Sequence, residues 1–435
     1  MSIDKKLKVA IVGAGPGGLA AIIHFLRVQN VDLSVFEAAR ELREIGAGIG
    51  INQNTWRHLQ LMGVAEKIEQ FTNRGDGTKI DVENRNGTNG KLISRKYQST
   101  DPDTPARSRI ERYKLQNALL SAVPKGLIQL NRRLADIEER EEGVVLIFKD
   151  GTSEGPFDLV IGADGIRSVT RSYAFPDHKL SYTGKTAYRI IIPGEEVAHI
   201  PDIPQGSCFW HTKETHIYTN PLDNGLFEIA TRAVIPDENG TKVSWGTEVP
   251  REEVIGHYTG YCETIRKILD VPKKWLEFAI FGGPRLESVI HGGRIALLGD
   301  ASHPLSGAFG AGACFAFEDA YVLSKAVDQA LKNGTTIPNA LKEYDEFRAP
   351  HYKALYQVLD GYARTAEEVK SLNAELSDDE FVEEIVQKGL AGNTQWIYEY
   401  DVTKVWQEKL DSALKGKDGS DTSLALGVAA IAITA

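Results

Sequence analysis

A glycine-rich stretch near the start of the chain, Gly13-Ala14-Gly15-Pro16-Gly17-Gly18, has the spacing of a phosphate-binding turn. It lies between a short apolar run and a helical pattern, and Glu37 ends the next apolar run. In the order Gly13-x-Gly15-x-x-Gly18, the first glycine permits a tight turn, the second lets the backbone approach a pyrophosphate, and the third lets helix and strand pack closely. Glu37 would accept hydrogen bonds from ribose hydroxyls. This βαβ pattern predicts a dinucleotide site without choosing between FAD and NAD.

Three further segments follow in a consistent order along the chain. They are Arg43 to Ile49 (REIGAGI), Asp158 to Ser168 (DLVIGADGIRS), and the small-residue stretch Leu297 to Ala320, which contains Gly299-Asp300. Together with the first turn they resemble the FAD-dependent aromatic monooxygenases of the p-hydroxybenzoate hydroxylase class, especially its salicylate hydroxylase branch. The resemblance extends from about Lys8 to Leu355. It implies that Leu297 to Ala320 is the far end of one FAD site and not a second nucleotide site.

The resemblance assigns a set of residues to FAD binding. They are Gly13, Gly15, Gly18, Glu37, Gly50, Arg112, Asp164, Asp300, Gly310, Gly312 and Ala313. The carboxylate of Asp300 would accept a hydrogen bond from a ribityl or ribose hydroxyl, or would cap the following turn. The helix opened by Gly310, Gly312 and Ala313 would stabilise negative charge on the reduced flavin through its amides and dipole.

Two of these assignments have structural alternatives. Arg112 matches the family arginine near the FAD pyrophosphate, but it could also be a surface residue of a helix. Asp164-Gly165 matches a motif linked to FAD and to the nicotinamide cofactor, and it could equally be a tight turn. A second dinucleotide fingerprint is not visible in the sequence. This is consistent with NADH or NADPH as a co-substrate that binds transiently.

Substrate-binding residues are expected on strands in the middle of the chain. Arg189 resembles the family arginine that points at the substrate, where a guanidinium would bind a carboxylate or stabilise a phenolate. His216 could hydrogen-bond or deprotonate a phenol, or it could be a structural histidine. Two positions depart from the family pattern: Gly307 to Phe309 replace a segment with proline and glutamine, and Asn220 replaces a common tyrosine. The exact substrate is therefore less defined than the cofactor.

Composition excludes several classes of protein. The chain has 435 residues, with 60 acidic against 50 basic residues and a formal charge of −10, so nucleic acid is not an expected partner. Its three cysteines are far apart and predict free thiols in a cytoplasmic protein without a metal site. The apolar tail Leu424 to Ala435 is too short to span a membrane. We expect a monomer or a homodimer.

The predicted fold is mixed α/β, with three regions. A discontinuous Rossmann-like FAD-binding domain comprises residues 1–74, 105–175 and 282–350. An inserted antiparallel β-sheet domain for the substrate comprises residues 75–104 and 176–281. Residues 351–435 form a helical C-terminal region.

The resemblance implies hydroxylation of a phenolic aromatic acid with NAD(P)H and O2. Salicylate is the first expected substrate, and its conversion to catechol would release CO2. Alternatives are the same chemistry on 6-hydroxynicotinate, another hydroxybenzoate or a polyketide phenol. A flavin-fold binding protein without hydroxylase activity and a flavoprotein oxidase or dehydrogenase are alternatives of a different class.

Overall fold

The computed structural model describes residues 6–42, 48–72, 78–98, 107–222, 224–237, 242–305, 310–372, 376–390 and 394–415. In chain order the strands are β1 (Leu7–Val12), β2 (Val31–Phe36), β3 (Gly48–Ile51), β4 (Ile80–Asn86), β5 (Leu92–Tyr97), β6 (Ser108–Glu111), β7 (Ile128–Gln129), β8 (Leu134–Arg140), β9 (Gly143–Phe148), β10 (Ser153–Phe157), β11 (Leu159–Gly162), β12 (Ser181–Pro193), β13 (Ser207–His211), β14 (His216–Leu222), β15 (Leu226–Val234), β16 (Trp245–Pro250), β17 (Lys274–Gly282), β18 (Ile290–His291) and β19 (Ile295–Leu297). The helices are α1 (Pro16–Phe25), α2 (Gln53–Met62), α3 (Ala65–Glu69), α4 (Arg112–Leu120), α5 (Val169–Ala174), α6 (Arg251–Ile255), α7 (Glu263–Asp270), α8 (Gly312–Asn333), α9 (Ile337–Leu372), α10 (Asp378–Leu390), α11 (Trp396–Glu399) and α12 (Val402–Lys415).

A six-stranded sheet carries the first glycine-rich turn. Its order is β18-β19-β11-β1-β2-β7, and every neighbouring pair runs parallel except β18 and β19. Val9 and Ile11 pack on the side of α1 and α8, whereas Ala10 and Val12 face the three-stranded sheet β10-β9-β8. Because both faces of β1 are covered, its sequence is a continuous apolar run. The predicted mixed α/β fold is confirmed.

An eight-stranded sheet forms the second large layer, in the order β16-β17-β12-β15-β14-β13-β4-β5. Its pairs are antiparallel except β13 with β4, which run parallel. The predicted antiparallel sheet is therefore present, with one parallel pair that the sequence did not indicate. The reason is topological: β4 and β5 form a hairpin from an earlier part of the chain, and this hairpin joins the edge formed by β13.

The two faces of the eight-stranded sheet differ in character. One face packs against α6 and α7 around the buried Trp210 and Trp275. Successive strand residues point to opposite faces, so the other face carries Arg189 of β12, His216 of β14, and Glu228 and Arg232 of β15. We call this second surface the charged face.

The C-terminal helices contact both sheets. Helix α9 packs along α8, and α10 packs on the β4–β5 hairpin. Asn86 and Asn89 of that hairpin each donate a side-chain hydrogen bond of 2.8 Å to the carboxylate of Asp379. The tail Leu424 to Ala435 lies outside the described residues. Within the described part of the chain, no helix combines the length and apolarity that a membrane span requires.

Two buried histidines pack on Tyr321 in the core between α1, α2 and α8. The rings of His24 and His58 meet the Tyr321 ring edge-on, with centroid distances of 5.6 and 6.2 Å. Burial, helped by nearby His58 and Arg27, lowers the pKa of His24 from 6.5 to about 3. Burial likewise lowers the pKa of His58 to about 4. Both side chains are therefore neutral in the folded protein at neutral pH.

We expect these histidines to make the protein less stable in mild acid. Below about pH 6.5 the unfolded chain binds protons that folded His58 rejects until the pH approaches 4, so stability falls by roughly 1.4 kcal/mol per pH unit for such a group. In urea unfolding between pH 6.5 and 4, His58→Gln should reduce the slope by about that amount. The exposed His199→Gln is the control. An unchanged slope in His58→Gln would contradict the prediction.

Candidate cofactor and substrate site

Four neighbouring parallel strands bring the predicted cofactor residues to one edge of the six-stranded sheet. The glycine-rich turn follows β1, Glu37 follows β2, Asp164 follows β11, and Asp300 lies in a short turn after β19. The carboxyl ends of parallel strands meet at the same edge, where such folds bind their ligands. Residues separated by almost 300 positions in sequence therefore lie along this one edge, which we call the cofactor edge.

The glycines of the turn are required for two different reasons. Gly13 has a φ of +102°, and a Cβ atom there would lie 2.3 Å from the carbonyl oxygen of Ala163. A Cβ at Gly18 would lie 2.0 Å from the carbonyl oxygen of Gly13. At Gly15, by contrast, nothing described lies within 4 Å of the added atom. Gly13 and Gly18 are therefore required by the packing of the protein itself, whereas the position next to Gly15 is open.

The open space at Gly15 fits a phosphate. Helix α1 starts at Pro16 directly after Gly15, which lacks a capping side-chain hydrogen bond. Amides at such a helix start are available to an anion. The carboxylate of Glu37 accepts hydrogen bonds of 2.7 Å from the amides of Ala14 and Ala39, which places it beside the turn. These residues fit the phosphates and ribose of a dinucleotide.

Asp164 caps a helix. Its carboxylate accepts hydrogen bonds from the amides of Val169 and Thr170, at 2.8 and 3.0 Å, and from the hydroxyl of Ser168. These contacts support the alternative interpretation of Asp164 as a structural turn residue. Its link to the nicotinamide cofactor stays a prediction.

Arg171 joins the Asp164 segment to the Asp300 segment. This buried side chain of α5 donates two hydrogen bonds of 3.0 Å to the carbonyl oxygens of Asp300 and Ala301. The two segments are thus held at a fixed separation. Sequence analysis did not identify Arg171, although it stands one helical turn beyond the DLVIGADGIRS motif.

Within the second glycine-rich stretch, the start of α8 comes close to Asp300. Asp300 is exposed, and a Cβ at Gly312 would lie 3.7 Å from one of its carboxylate oxygens. Helix α8 begins at Gly312 without a side-chain cap, and Gly310 before it has a φ of +63°. The start of α8 at Gly312 is therefore close to Asp300. This arrangement fits the expected position of a ribityl chain and flavin ring.

Arg112 lies near Asp300 and Arg189, and Gly50 lies in strand β3. Arg112 is the first residue of α4, and its charge acts on both Asp300 and Arg189. Gly50 is buried in β3 and pairs with Arg109 of β6. Residues 43–47 of the REIGAGI motif, and Gly307 to Phe309, lie outside the described residues.

A buried network of charged side chains holds the turn that contains Asp300. Asp319 of α8 accepts hydrogen bonds from the Gly299 amide at 3.1 Å, His303 at 2.9 Å and Arg348 at 2.8 Å. Arg348 also forms an ion pair of 2.9 Å with Glu318. Burial alone would raise the pKa of Asp319, but Arg348 and His303 lower it well below its usual value. Glu318 and Asp319 are adjacent in the sequence, whereas no local pattern indicates Arg348 on α9 as their partner.

A second ion pair joins the charged face to strands β3 and β6. Arg109 of β6 donates to Glu228 through Nε and through Nη2, the latter at 2.9 Å. Glu228 also accepts the Gly48 amide at 2.9 Å, and Arg109 donates to the Gly48 carbonyl at 3.0 Å. The Arg109 guanidinium lies 5.0 Å from the centre of the Tyr218 ring. These contacts hold strands β3 and β6 against the eight-stranded sheet.

Arg189 and His216 are half-buried on the charged face. Burial, opposed by Glu228 and aided by neighbouring arginines, lowers the pKa of Arg189 to about 10, so the side chain stays cationic. Its Nε atom is buried without a hydrogen-bond partner in the described part of the chain. Burial, with Arg232 and His211 nearby, lowers the pKa of His216 to about 3. His216 is therefore a neutral hydrogen-bonding group and a poor proton acceptor.

One cysteine lies among potential metal ligands. Ligand atoms of His58, Cys314 and Glu318 lie within 4.8 Å of one another. The ion pair between Glu318 and Arg348 already neutralises this carboxylate, and a second cation beside Arg348 would be repelled. All three cysteines of the chain are free thiols, as predicted.

We expect Arg348→Met to destabilise the protein strongly, because it leaves two buried carboxylates without their cation. The loss should be about 3–5 kcal/mol in denaturant unfolding, with weaker cofactor binding because Asp319 supports the Gly299 turn. Lys342→Met on the same helix removes only an exposed pair with Glu346 and should change stability by less than about 0.5 kcal/mol. Equal effects of the two substitutions would refute the assigned role.

The glycines of the first turn offer a test of cofactor binding. Gly18→Ala should destabilise the cofactor-free protein, because its Cβ would collide with the Gly13 carbonyl. Gly15→Ala should leave the melting temperature of that protein nearly unchanged but weaken FAD binding at least ~10-fold, because the methyl group would fill the predicted phosphate position. Thermal melts and fluorescence titration with FAD measure the two effects. Undiminished FAD affinity in Gly15→Ala would exclude this position for the pyrophosphate.

Known proteins share this sequence and architecture. The family model described as "FAD binding domain" matches residues 6–358. A salicylate hydroxylase of Pseudomonas putida is 28% identical over 424 residues, covering 91% of this chain and 93% of that protein. A 3-amino-4-hydroxybenzoate 2-monooxygenase of Streptomyces platensis is 28% identical over 366 residues, covering 81% and 87%. A solved structure titled "Salicylate hydroxylase substrate complex" is 22% identical, with a TM-score of 0.72, and the alignment covers 97% of this chain and all of that one. Since the family match covers most of the chain, the protein belongs to the FAD binding domain family, as an FAD-dependent monooxygenase similar to aromatic hydroxylases.

Proposed function

We propose that this enzyme hydroxylates a phenolic aromatic acid with NAD(P)H and O2, and that salicylate, converted to catechol and CO2, is its substrate. The observation that carries this proposal is the half-buried guanidinium of Arg189, whose Nε has no described hydrogen-bond partner. Arg189 is within electrostatic range of Arg112 on the cofactor side. A cation in such a place favours an anionic ligand between the sheet and the flavin.

The residues of the site would then have distinct roles. Arg189 would bind the substrate carboxylate through charge-assisted hydrogen bonds. His216, neutral at the pH of the reaction, would orient the phenolic group through a hydrogen bond. Asp300 and the amides at the start of α8 would hold the flavin, and FAD when bound supplies the electron transfer and the oxygen activation. The half-buried sheet face would limit access of water to the reacting ring.

The choice of salicylate rests on its relatives. Two named relatives of this chain act on hydroxylated benzoates, one of them on salicylate. The aromatic acids after which these relatives are named share a carboxylate and a ring hydroxyl, which Arg189 and His216 would recognise. Another hydroxybenzoate, 6-hydroxynicotinate or a polyketide phenol would undergo the same chemistry if its acidic group reached Arg189.

Activity assays with the FAD-loaded enzyme test this function. Mixed anaerobically with NADH or NADPH, the flavin should be reduced faster when salicylate is present. In air, one reduced nicotinamide should be consumed for each catechol and CO2 formed, with one O2 used and one water released. A flavin that neither nucleotide bleaches with any phenol present would rule out the monooxygenase. Reduction without a hydroxylated product would instead indicate an oxidase or dehydrogenase.

Arg189→Gln tests the substrate contact within this function. It should raise KM for salicylate roughly 10- to 100-fold, because a charge-assisted hydrogen bond is worth about 1.5–3 kcal/mol. Lys185→Gln, which removes an exposed cation from the same strand, is the matched control and should leave KM within about 2-fold. A KM unchanged by Arg189→Gln would contradict the assigned role.

A further inference from the structure

The side chain of Arg189 lies over an aromatic ring. Its guanidinium carbon is 5.6 Å from the centre of the Phe278 ring on β17. Within the described part of the chain this guanidinium forms no hydrogen bond, and its buried Nε atom is without a partner. The nearby carboxylate of Glu228 is bound instead by Arg109 and by the Gly48 amide. Among the described residues, the Phe278 ring is therefore the group that lies against the guanidinium of Arg189.

An aromatic ring can hold a guanidinium without using its hydrogen-bond donors. The face of the ring carries partial negative charge and attracts a cation placed over it. The five N–H groups of arginine lie in the plane of the guanidinium, so a contact with a ring leaves them available for another ligand. A protein carboxylate at the same place would occupy these donors and compete with a substrate carboxylate. Arg189 is thus held in place and remains able to bind an anion.

The pairing of β12 with β17 explains this contact. Phe278 of β17 is opposite Ala187 of β12. Leu276, two residues before Phe278, is opposite Arg189. Arg189 and Phe278 are therefore diagonal neighbours on the charged face, within reach of a long side chain. The small side chain of Ala187 leaves room for Arg189 to extend over the ring.

A tryptophan of the edge strand β16 contacts the same ring. Trp245 is opposite Phe278 in the register, and the two rings meet edge-on with a centroid distance of 5.5 Å. The register shifts between Trp245 and Thr247, and Gly246 between them has a φ of +73°. Such a bulge in an edge strand changes where the neighbouring side chain points. A Cβ at Gly246 would lie 3.7 Å from the Phe278 ring, so the backbone of the bulge also comes close to it.

We infer that Phe278 is a positioning residue for Arg189, and that Trp245 fixes the Phe278 ring. This inference rests on the proposed function, in which Arg189 binds the substrate carboxylate. Phe278 would hold the guanidinium over the charged face before the substrate arrives. Because the side chain is already ordered, less conformational freedom is lost when the carboxylate binds. The contact therefore increases the affinity of the site for an anionic ligand and has little effect on a neutral one.

Binding of a charged and a neutral ligand to the FAD-loaded enzyme tests the inference. Salicylate carries a carboxylate, and salicylamide carries an uncharged carboxamide in its place. Flavin absorbance reports the binding of both ligands without nicotinamide. Phe278→Leu keeps an apolar side chain but removes the ring, so it should raise Kd for salicylate about 3- to 30-fold, the range of a cation–π contact that is partly or fully desolvated. Kd for salicylamide should stay within about 2-fold.

Further variants separate positioning from packing. Phe278→Tyr keeps an aromatic face and should bind salicylate within about 2-fold of wild type. In the Arg189→Gln background, Phe278→Leu should have no further effect on salicylate, because both residues act through one contact. Trp245→Leu should raise Kd for salicylate by less than Phe278→Leu does, since it loosens the ring without removing it. The matched control is Tyr97→Leu, which removes an exposed aromatic side chain from β5 at the other edge of the same sheet and should leave Kd unchanged.

The outcomes are distinct. An unchanged Kd for salicylate in Phe278→Leu, while Arg189→Gln weakens binding, overturns the inference and leaves the proposed function intact. Equal weakening of salicylate and salicylamide by Phe278→Leu also overturns it, because a loss of packing acts on both ligands. If a low FAD content shows that Phe278→Leu does not fold, the same two ligands are compared in Trp245→Leu, whose substituted side chain is exposed. If wild type binds neither ligand, or if Arg189→Gln has no effect, the proposed substrate contact fails together with the inference.

Discussion

The cofactor half of this enzyme depends on one buried carboxylate. Asp319 receives hydrogen bonds from the Gly299 amide, from His303, from Arg348 and from the Tyr352 hydroxyl. It thereby ties the turn after β19 to α8 and to α9. Burying a carboxylate with fewer hydrogen-bond donors would cost free energy of folding. Because all four donors bind Asp319, this carboxylate fixes the positions of the Asp300 turn and of α8 relative to α9.

A second buried carboxylate, Glu228, links the eight-stranded sheet to strands β3 and β6 in the same way. The pair of Arg109 and Glu228 fixes both polar groups of the Gly48 backbone, and a Cβ at Gly48 would lie 2.5 Å from a Glu228 oxygen. Glycine at this position is thus a requirement of the ion pair. The contacts of Asp319 hold the turn that contains Asp300, and those of Arg109 and Glu228 hold β3 and β6 against the sheet that carries Arg189.

The sequence predicts the cofactor edge better than the sheet. Gly13, Glu37 and Asp300 follow apolar strands, so their shared position at one sheet edge can be inferred from a parallel topology. Arg348 and Arg109 could not be found in this way, because their partners lie 29 and 119 residues away and leave no periodic pattern. The parallel pair of β4 and β13 was missed for the same reason.

This difference explains why the sequence identifies the cofactor more precisely than the substrate. The FAD edge is built largely from backbone amides and glycine conformations, and these leave a recognisable spacing in the sequence. The charged face is built by alternation on strands that are distant in sequence, so its chemistry depends on which residues become neighbours. Arg189 alone suggests a site for one carboxylate. The residues that stand beside Arg189 on this face, such as Arg232 on the neighbouring strand, become visible only after the strands are paired.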